Sequence, residues 1–303
     1  MTVRVLPQPE SEFVQQRGLR VHALHWQPPQ ASPSIVLLHG LASNARIWEL
    51  CAPRLAAAGF DTWAIDLRGH GLSGKPKAGY NFPALRRDLD GWLRAHRLRR
   101  PLLVGHSWGA YVAVDYASHH TEGAGRPRGL VLVDGALREM ASAPGASWPA
   151  VRRDLAPPRL TGLTIEQLLQ RLTAPGRTWA LDEHAVQAVI GNFAVDTRGR
   201  IRPHLTRQRH LALLRTIWDY RLYQAYPGLS CPVLLLPARP PAPRSAAEEQ
   251  RLAEKRRGVA RARKAIRDVR VRWMRDTIHD VPLQRPLALA KRILEFAASG
   301  CVA

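Results

Sequence analysis

The residue whose sequence context most clearly indicates chemical reactivity is Ser107, at the centre of the pentapeptide Gly105-His106-Ser107-Trp108-Gly109. This G-x-S-x-G pattern directly follows an apolar run and opens a segment with helical spacing, where a serine nucleophile on a sharp strand-to-helix turn is expected. Glycines are needed at Gly105 and Gly109 because a Cβ there would collide with the neighbouring strand or helix. The pattern therefore predicts a reactive serine above the carboxyl ends of the strands.

A serine hydroxyl becomes a good nucleophile only when a base takes its proton, so one of the twelve histidines is the expected partner. We favour His279, because it follows the last predicted strand and its loop would lie at the same edge of the sheet as Ser107. His106 lies in the turn itself, and we expect it to point elsewhere and to have a packing role. Eight others are placed away from this edge by the sequence pattern, in an edge hairpin, on or near solvent-facing helices, or in the middle of the chain: His22, His25, His96, His119, His120, His184, His204 and His210.

The elements that must position these residues alternate between strand and helix before residue 135 and after residue 230. Apolar, β-branched runs predict strands, and apolar residues at helical spacing predict helices. A hairpin is predicted at 14–26, strands at 34–38, 60–66, 101–105, 129–133, 231–236 and 269–274, and helices at 44–58, 81–98, 108–117, 246–266 and 285–298. Such alternation predicts an α/β fold, with a mostly parallel central sheet covered by helices on both faces.

The middle of the chain departs from this alternation, because strand signals become sparse and helical spacing dominates. Helices are predicted at 164–172, from Asp182 to Phe193 and from about 205 to 226. We interpret residues 136–229 as a helical cap, inserted into a core formed by residues 1–135 and 230–303.

Three further motifs accompany the serine pentapeptide. They are Leu38-His39-Gly40-Leu41, the segment Asp66-Leu67-Arg68-Gly69-His70-Gly71-Leu72-Ser73, and His279 followed by Asp280 and Pro282. In this order, the motifs make nearly the whole chain resemble the α/β-hydrolase superfamily in its capped form. The resemblance implies an oxyanion hole from the backbone N–H groups of Leu41 and Trp108. Supporting residues of the motifs are His39, Gly40, Gly105 and Gly109. The resemblance also implies a structural role for Asp66.

The acid that would orient His279 departs from the commonest pattern of this superfamily. Many relatives carry an aspartate just after the strand corresponding to 233–236, but here residues 237–244 contain prolines and arginines and no carboxylate. Asp134 ends the preceding strand, where some relatives, including certain haloalkane dehalogenases, place their acid. It also keeps the chain order Ser, Asp, His. We therefore favour Asp134; Glu248, Glu249 and a site without an acid are the alternatives.

The resemblance implies a serine hydrolase that cleaves an ester or a similar acyl bond of a small molecule. A serine nucleophile argues against epoxide hydrolase and dehalogenase chemistry, because the superfamily uses an aspartate nucleophile for those reactions. Hydrolysis of a C–C bond, a thioester or a peptide stays open, as does a non-catalytic relative that only binds ligands. No metal or organic cofactor is expected. An apolar acyl pocket is predicted from the aromatic residues Trp148, Trp179, Phe193, Trp218 and Tyr223.

Composition constrains partners and location. The 45 Lys and Arg exceed the 24 Asp and Glu, which gives a net charge of +21, and all but five of the cations are Arg. We interpret this surplus mainly as compositional bias and expect no nucleic-acid partner, because no RNP-type motif or zinc finger accompanies it. The stretch 239–275 is the most basic, with thirteen cations and four acids.

The absence of a long apolar run predicts no membrane span. Three widely spaced cysteines and no apolar leader predict a cytoplasmic protein. The sequence does not indicate an oligomeric state.

Overall fold

The structure is a computed structural model that describes residues 6–28, 30, 33–142, 145–172 and 183–299. In chain order its strands are β1 (Glu10–Gln16), β2 (Leu19–Trp26), β3 (Ser34–Leu38), β4 (Asp61–Ile65), β5 (Leu102–His106), β6 (Gly129–Val133), β7 (Phe193–Val195), β8 (Ile201–Pro203), β9 (Val233–Leu236), β10 (Ala238–Arg239), β11 (Val269–Val271) and β12 (Met274–Arg275). Its α-helices are α1 (Ala52–Ala57), α2 (Phe82–Ala95), α3 (Trp108–His119), α4 (Trp148–Asp154), α5 (Ile165–Leu172), α6 (Glu183–Ile190), α7 (Arg207–Asp219), α8 (Leu222–Ala225), α9 (Ala246–Ala265), α10 (Val281–Gln284) and α11 (Pro286–Ala297).

The central sheet is mostly parallel. Within the described residues it has eight strands in the order β1-β2-β4-β3-β5-β6-β9-β11. The hairpin β1-β2 pairs antiparallel and joins β4 antiparallel, whereas the pairs from β4 to β11 are parallel. The α/β fold class predicted from the sequence is therefore confirmed, with the predicted hairpin forming one edge of the sheet.

Two apolar layers cover the two faces of this sheet. Along β3, Val36 and Leu38 belong to the layer that includes residues of α2 and α3. Ile35 and Leu37 point to the opposite face and belong to the layer that includes residues of α1 and α11. Burial on both faces explains why the central strands are continuous apolar runs rather than alternating ones.

The strand register brings several loops together at one edge of the sheet. Leu38 pairs with Gly105, and Val133 pairs with both His106 and Leu236. The residues that follow β3, β5, β6 and β9 therefore emerge side by side. A short parallel pair, β10 with β12, extends this edge and leads into the loop that carries His279.

The middle region differs in part from the predicted all-helical pattern. A hairpin, β7 with β8, lies within it, so the helix predicted to reach Phe193 ends at Ile190 and Phe193 is a strand residue. The helix predicted at 205–226 is divided into α7 and α8, because Tyr220 adopts an extended ψ of 125°. Apolar spacing continues across this break, so periodicity alone does not reveal it.

Two predicted elements of the core are also divided. The helix predicted at 44–58 is a 3₁₀ turn, Ala45–Trp48, followed by α1. Pro53 lies in the first turn of α1, where its missing N–H costs nothing, and it disfavours continuation of a helix through the preceding residues. The strand predicted at 269–274 is β11 and the start of β12. Among the described residues, no helix has the length and apolarity needed to cross a membrane.

Candidate active site

Ser107 lies on a sharp turn between β5 and α3. Its φ is 53°, a value that strains a residue other than glycine. A Cβ on Gly105 would lie 2.4 Å from the carbonyl O of Gly109, and a Cβ on Gly109 would lie 2.4 Å from the carbonyl O of Leu38. The turn therefore has no room for a side chain at either glycine, and α3 begins directly against the end of β3.

His279 faces Ser107 from the loop that follows β12. Its Nε2 lies 2.9 Å from Ser107 Oγ, and its Nδ1 lies 2.7 Å from Asp134 Oδ2. An Nδ1–H that donates to the carboxylate leaves Nε2 free to accept the serine proton. The imidazole side chain is 51% exposed, because it faces an open cavity. The three residues thus form a hydrogen-bonded row that a substrate can reach.

Asp134 follows β6 and is almost completely buried, with 1% of its side chain exposed. Besides His279, its carboxylate accepts the backbone N–H of Ala238 at 2.8 Å, through Oδ1. Ala238 lies just after β9, in the segment that contains no carboxylate. That segment therefore contributes a backbone donor to the acid rather than an acid of its own.

The two alternative acids lie at the start of α9 and make other contacts. Glu248 accepts hydrogen bonds from the N–H and hydroxyl of Ser245, which caps the start of α9. Glu249 pairs with Arg244. Both carboxylates therefore stabilise the beginning of α9, where acids are favourable.

Lys255 of α9 also contacts Asp134, although no sequence motif marks it. Its Nζ lies 2.7 Å from Oδ1 and 2.9 Å from Oδ2 of the carboxylate. A signal was nevertheless present in the sequence. Lys255 lies at helical spacing with Leu252, Val259 and Ala262, all of which are buried. A cation on the buried face of a helix requires a partner.

The pKa values of Asp134 and His279 are shifted in opposite directions. Burial opposes ionisation of Asp134, but the hydrogen bond and charge of His279, with the charge of Lys255, outweigh it and hold this pKa below its ordinary value. The ring of His279 is half exposed, but the protein around it still removes part of its hydration, which opposes the imidazolium. The hydrogen bond and charge of Asp134, aided by Asp280, exceed this effect, so the pKa of His279 lies above its ordinary value.

His106 supports the loop that carries His279. Its Nε2–H donates to the backbone carbonyl of His279 at 2.9 Å, and the two rings lie 5.1 Å apart. Burial, followed by the charge of His279, lowers the pKa of His106 to about 4. The ring is therefore neutral near pH 7 and acts as a hydrogen-bond donor to the loop.

The loop after β3 is held close to Ser107 by His39. Its Nδ1–H donates to the carbonyl of Gly40 at 2.7 Å, and its Nε2 accepts the N–H of Leu67 at 3.0 Å. A Cβ on Gly40 would lie 3.3 Å from the Cβ of Ser107, which is tighter than an ordinary contact. A glycine at this position therefore lets the loop approach the serine.

The predicted oxyanion donors, Leu41 and Trp108, line the larger of two cavities at Ser107. Trp108 is the first residue of α3, so its N–H has no partner inside the helix. Leu41 directly follows Gly40 in the loop after β3. Both residues therefore lie next to Ser107, on separate elements.

Two cavities meet at Ser107 and His279. One has a volume of about 670 Å³ and the other about 220 Å³. The larger is mainly apolar, and the side chains that line it include Tyr111, Leu137, Leu155, Leu214, Ile217 and Leu252. The smaller is lined in part by Val189 and Asn192.

The sequence matches the alpha/beta hydrolase fold family over residues 33–238. The chain belongs to this family. Epoxide hydrolase B of Mycobacterium tuberculosis is 34% identical over 187 residues, which cover 60% of this chain and 49% of the relative. The 2-(acetamidomethylene)succinate hydrolase of Mesorhizobium japonicum is 37% identical over 104 residues, 34% of this chain and 36% of the relative. The matched part thus spans about half the length of these curated relatives, or less.

Solved structures of this hydrolase fold resemble nearly the whole chain. An E-2-(acetamidomethylene)succinate hydrolase structure has a TM-score of 0.71 and 24% identity, covering 95% of this chain and 98% of that one. The thioesterase domain from the curacin biosynthetic pathway has a TM-score of 0.69 and 19% identity, covering 94% and 99%. At such identities the likeness concerns the fold alone.

Of the aromatic residues predicted to form a pocket, those that the structure describes do not line either of the two cavities. Trp148 and Trp218 instead pack against each other, with ring centroids 6.2 Å apart, and the Arg215 guanidinium lies over Trp148. Phe193 lies on β7 and Tyr223 on α8, and neither lines the described cavities. Trp179 lies outside the described residues. The apolar lining of the larger cavity comes instead from Leu214 and Ile217 of α7, from the segment after β6 and from Leu252, the aliphatic residue that α9 contributes.

A second Ser-His-Asp row lies at the edge of the sheet. Ser11 Oγ is 2.9 Å from Nε2 of His22, whose Nδ1 is 2.7 Å from Asp66 Oδ2. Ser11, however, lies inside β1 and lines neither cavity. Asp66 also accepts the backbone N–H groups of Ala45 and Leu72. These contacts therefore connect the edge hairpin β1-β2 to the segments that follow β3 and β4.

The part of the chain that the structure describes contains no group of three His, Cys, Asp or Glu side chains that could hold a metal ion.

Proposed function

We propose that this chain is a serine hydrolase that cleaves an ester or a related acyl bond of a small molecule through a triad of Ser107, His279 and Asp134. The observation that carries the proposal is the row of two hydrogen bonds, 2.9 Å from serine to histidine and 2.7 Å from histidine to aspartate. A strained serine, a base in the correct tautomer and an ionised buried acid are the parts that nucleophilic acyl transfer requires.

In the first half of the reaction, Ser107 Oγ attacks the carbonyl carbon while its proton moves to Nε2 of His279. The carbonyl oxygen becomes an oxyanion, and Asp134 stabilises the imidazolium without taking the proton. Collapse of the tetrahedral intermediate breaks the bond to the leaving group, which receives the proton from His279. An acyl-enzyme remains on Ser107.

In the second half, water takes the place of the leaving group. His279 removes a proton from the water, whose oxygen attacks the acyl carbon. The carboxylic acid leaves, and Ser107 regains its proton from the imidazolium. The backbone N–H groups of Leu41 and Trp108 are proposed as the oxyanion donors in both halves, and a donor of this kind contributes roughly 3–4 kcal/mol.

The epoxide hydrolysis named for one relative does not suit a serine nucleophile such as the one proposed here. Attack of Ser107 on an epoxide would join the serine oxygen to an alkyl carbon as an ether. An ether has no carbonyl for water to attack, so the covalent product would not be released. A carbonyl substrate, in contrast, gives an intermediate that the same three residues can hydrolyse.

The cavities support a substrate with two unequal arms. A cavity of about 670 Å³ with a mainly apolar lining fits a large apolar group, and the second cavity at Ser107, of about 220 Å³, fits a small group. We propose that residues 136–229 act as a cap over this site, since Leu155, Leu214 and Ile217 of that region line the larger cavity.

The test is labelling with a fluorophosphonate, followed by mapping of the modified residue by mass spectrometry. We expect the label on Ser107 in the wild type and none after Ser107→Ala, with Ser11→Ala as the matched control that keeps normal labelling. Hydrolysis of p-nitrophenyl esters should follow the same pattern. A Ser107→Ala protein that retains hydrolysis, or a folded wild type that neither reacts nor turns over esters, thioesters or lactones, would contradict the proposal. The second outcome would favour a ligand-binding relative.

A further inference from the structure

We propose that Lys255 is a positioning residue of this site, which holds the Asp134 carboxylate in place and sets the pH at which His279 becomes a competent base. The inference rests on the proposed function, because it assigns Asp134 and His279 the roles of acid and base.

Lys255 contacts Asp134 but is not itself part of the hydrogen-bonded row of Ser107, His279 and Asp134. Its Nζ contacts both oxygens of Asp134, at 2.7 and 2.9 Å, and donates to the carbonyl of Ala238 at 3.1 Å. Ala238 in turn donates its N–H to Asp134 at 2.8 Å. The carboxylate is therefore held by three groups, His279, Ala238 and Lys255, and it cannot rotate without breaking hydrogen bonds.

The helix that carries Lys255, α9, packs closely against the segment that follows β6. A Cβ on Gly258, one turn further along α9, would lie 1.8 Å from the carbonyl O of Leu137. Leu137 lies only a few residues after Asp134 in the chain. The glycine therefore lets α9 pack directly on the segment after β6, which places Lys255 within reach of the acid. The lysine side chain is 22% exposed, so its ammonium is largely withdrawn from water.

The charge of Lys255 acts on His279 through a short path. The ammonium and the imidazole bind the same carboxylate oxygen, Oδ2, at 2.9 and 2.7 Å. A positive charge at this distance opposes formation of the imidazolium, whereas Asp134 favours it. Lys255 therefore limits how far Asp134 raises the pKa of His279. A base with too high a pKa would remain protonated, and unable to accept the serine proton, at neutral pH.

Other charged groups also surround the histidine. Asp280, on its own loop, favours the imidazolium, and His106, on β5, is a neutral neighbour. Further charges line the larger cavity: Arg138, Glu248, Arg251 and Glu254. Among them Arg138 is paired with Glu254 and Glu248 with the N-terminus of α9. Within the described residues, Lys255 is the cation in direct contact with Asp134.

The test compares Lys255→Met, which keeps the length of the side chain and removes its charge, with Lys264→Met on an exposed position of the same helix. The readouts are the pH profile of Ser107 labelling and the titration of His279 followed by NMR. We expect the acid limb and the His279 pKa to move to higher pH in Lys255→Met, by on the order of one unit. Lys264→Met should match the wild type. Lys255→Gln, which can still donate to Asp134 but carries no charge, should show the same shift and serves if the methionine variant does not fold.

The outcomes separate the two proposals. A folded Lys255→Met or Lys255→Gln protein with an unshifted His279 titration overturns the role of Lys255. An equal loss of labelling at every pH does so too, because it indicates only a structural role. An unlabelled Ser107 in the wild type contradicts the proposed function instead, and the NMR titration then still decides whether Lys255 sets the pKa of His279.

Discussion

Oδ2 of Asp134 lies 2.7 Å from Nδ1 of His279, although 145 residues separate them in the chain. The contact joins the end of β6 to the loop after β12, across the sheet edge where β9 and β10 also end. Asp134 therefore reaches the histidine from a strand position next to Ser107, and the site depends on the parallel register of β5, β6 and β9. The segment after β9, which contains no carboxylate, contributes the backbone N–H of Ala238 to the Asp134 carboxylate.

Asp134→Asn should lower kcat by about three to four orders of magnitude, because an amide in place of the carboxylate no longer stabilises the imidazolium and favours the wrong tautomer. Steady-state ester hydrolysis, or labelling where no turnover is measurable, checks this. Glu248→Gln and Glu249→Gln are the matched controls and should stay close to the wild-type rate. A near-normal rate for Asp134→Asn would show that the acid lies elsewhere.

Those parts of the site that depend on local chain geometry could be predicted from the sequence. The sequence indicates Ser107 because a strand-to-helix turn with two flanking glycines has few alternatives. His279 and Asp134 were favoured because residues after parallel strands meet at one sheet edge. The structure brings all three within hydrogen-bond distance, and the strands that position them are continuous apolar runs with little ambiguity.

The parts that depend on packing between distant segments could not be predicted. Lys255 was overlooked within a stretch of thirteen cations, since its partner is 121 residues away and only burial distinguishes it from its neighbours. The sequence predicts helix and loop where the hairpin β7-β8 lies, because three-residue strands carry almost no periodic signal. Trp148 and Trp218 were expected in the pocket by size and polarity alone, but these properties suit packing against one another equally well.

Gly135→Ala should impair the site through the backbone. A Cβ at this position would lie 2.1 Å from the carbonyl O of Ser107, so the serine turn or the end of β6 must shift. We expect kcat to fall at least tenfold, with a loss of about 1–3 kcal/mol in the free energy of unfolding. Gly228→Ala is the control, because its nearest contact would be 3.6 Å away. Equal activities of the two variants in ester hydrolysis would show that the turn tolerates displacement.

Leu214→Phe should discriminate between substrates of different size. Leu214 is 1% exposed and lines the larger cavity, so a bulkier ring there reduces the space available to a large apolar group. We expect a higher KM for p-nitrophenyl octanoate and little change for p-nitrophenyl acetate. Val195→Phe, at an exposed position of β7, should change neither value. A uniform effect on both esters would mean that the large group does not occupy this cavity.

Asp66→Asn tests the structural role of the second Ser-His-Asp row. The Asp66 carboxylate accepts hydrogen bonds from His22 Nδ1 and from the N–H groups of Ala45 and Leu72, at 2.7, 2.7 and 2.8 Å. An amide would turn its NH₂ toward one of these donors. We therefore expect a loss on the order of 2 kcal/mol in the free energy of unfolding at pH 7, measured with denaturant. Asp219→Asn, at a surface pair with Arg215, should cost less than about 1 kcal/mol.

The effect of Asp66→Asn should also depend on pH. Burial opposes the charge of Asp66, but its hydrogen bond with His22, the positive charges that His39 and His22 carry when protonated, and the N–H of Leu72 outweigh this and lower its pKa to about 2. An unfolded aspartate has a pKa of about 3.9, so the unfolded chain takes up the proton first as the pH falls. The stabilisation is thus fully present above about pH 4 and is lost between about pH 4 and pH 2. The gap between wild type and Asp66→Asn should therefore narrow over that window; a gap that stays constant would show that the charge of Asp66 contributes nothing to stability.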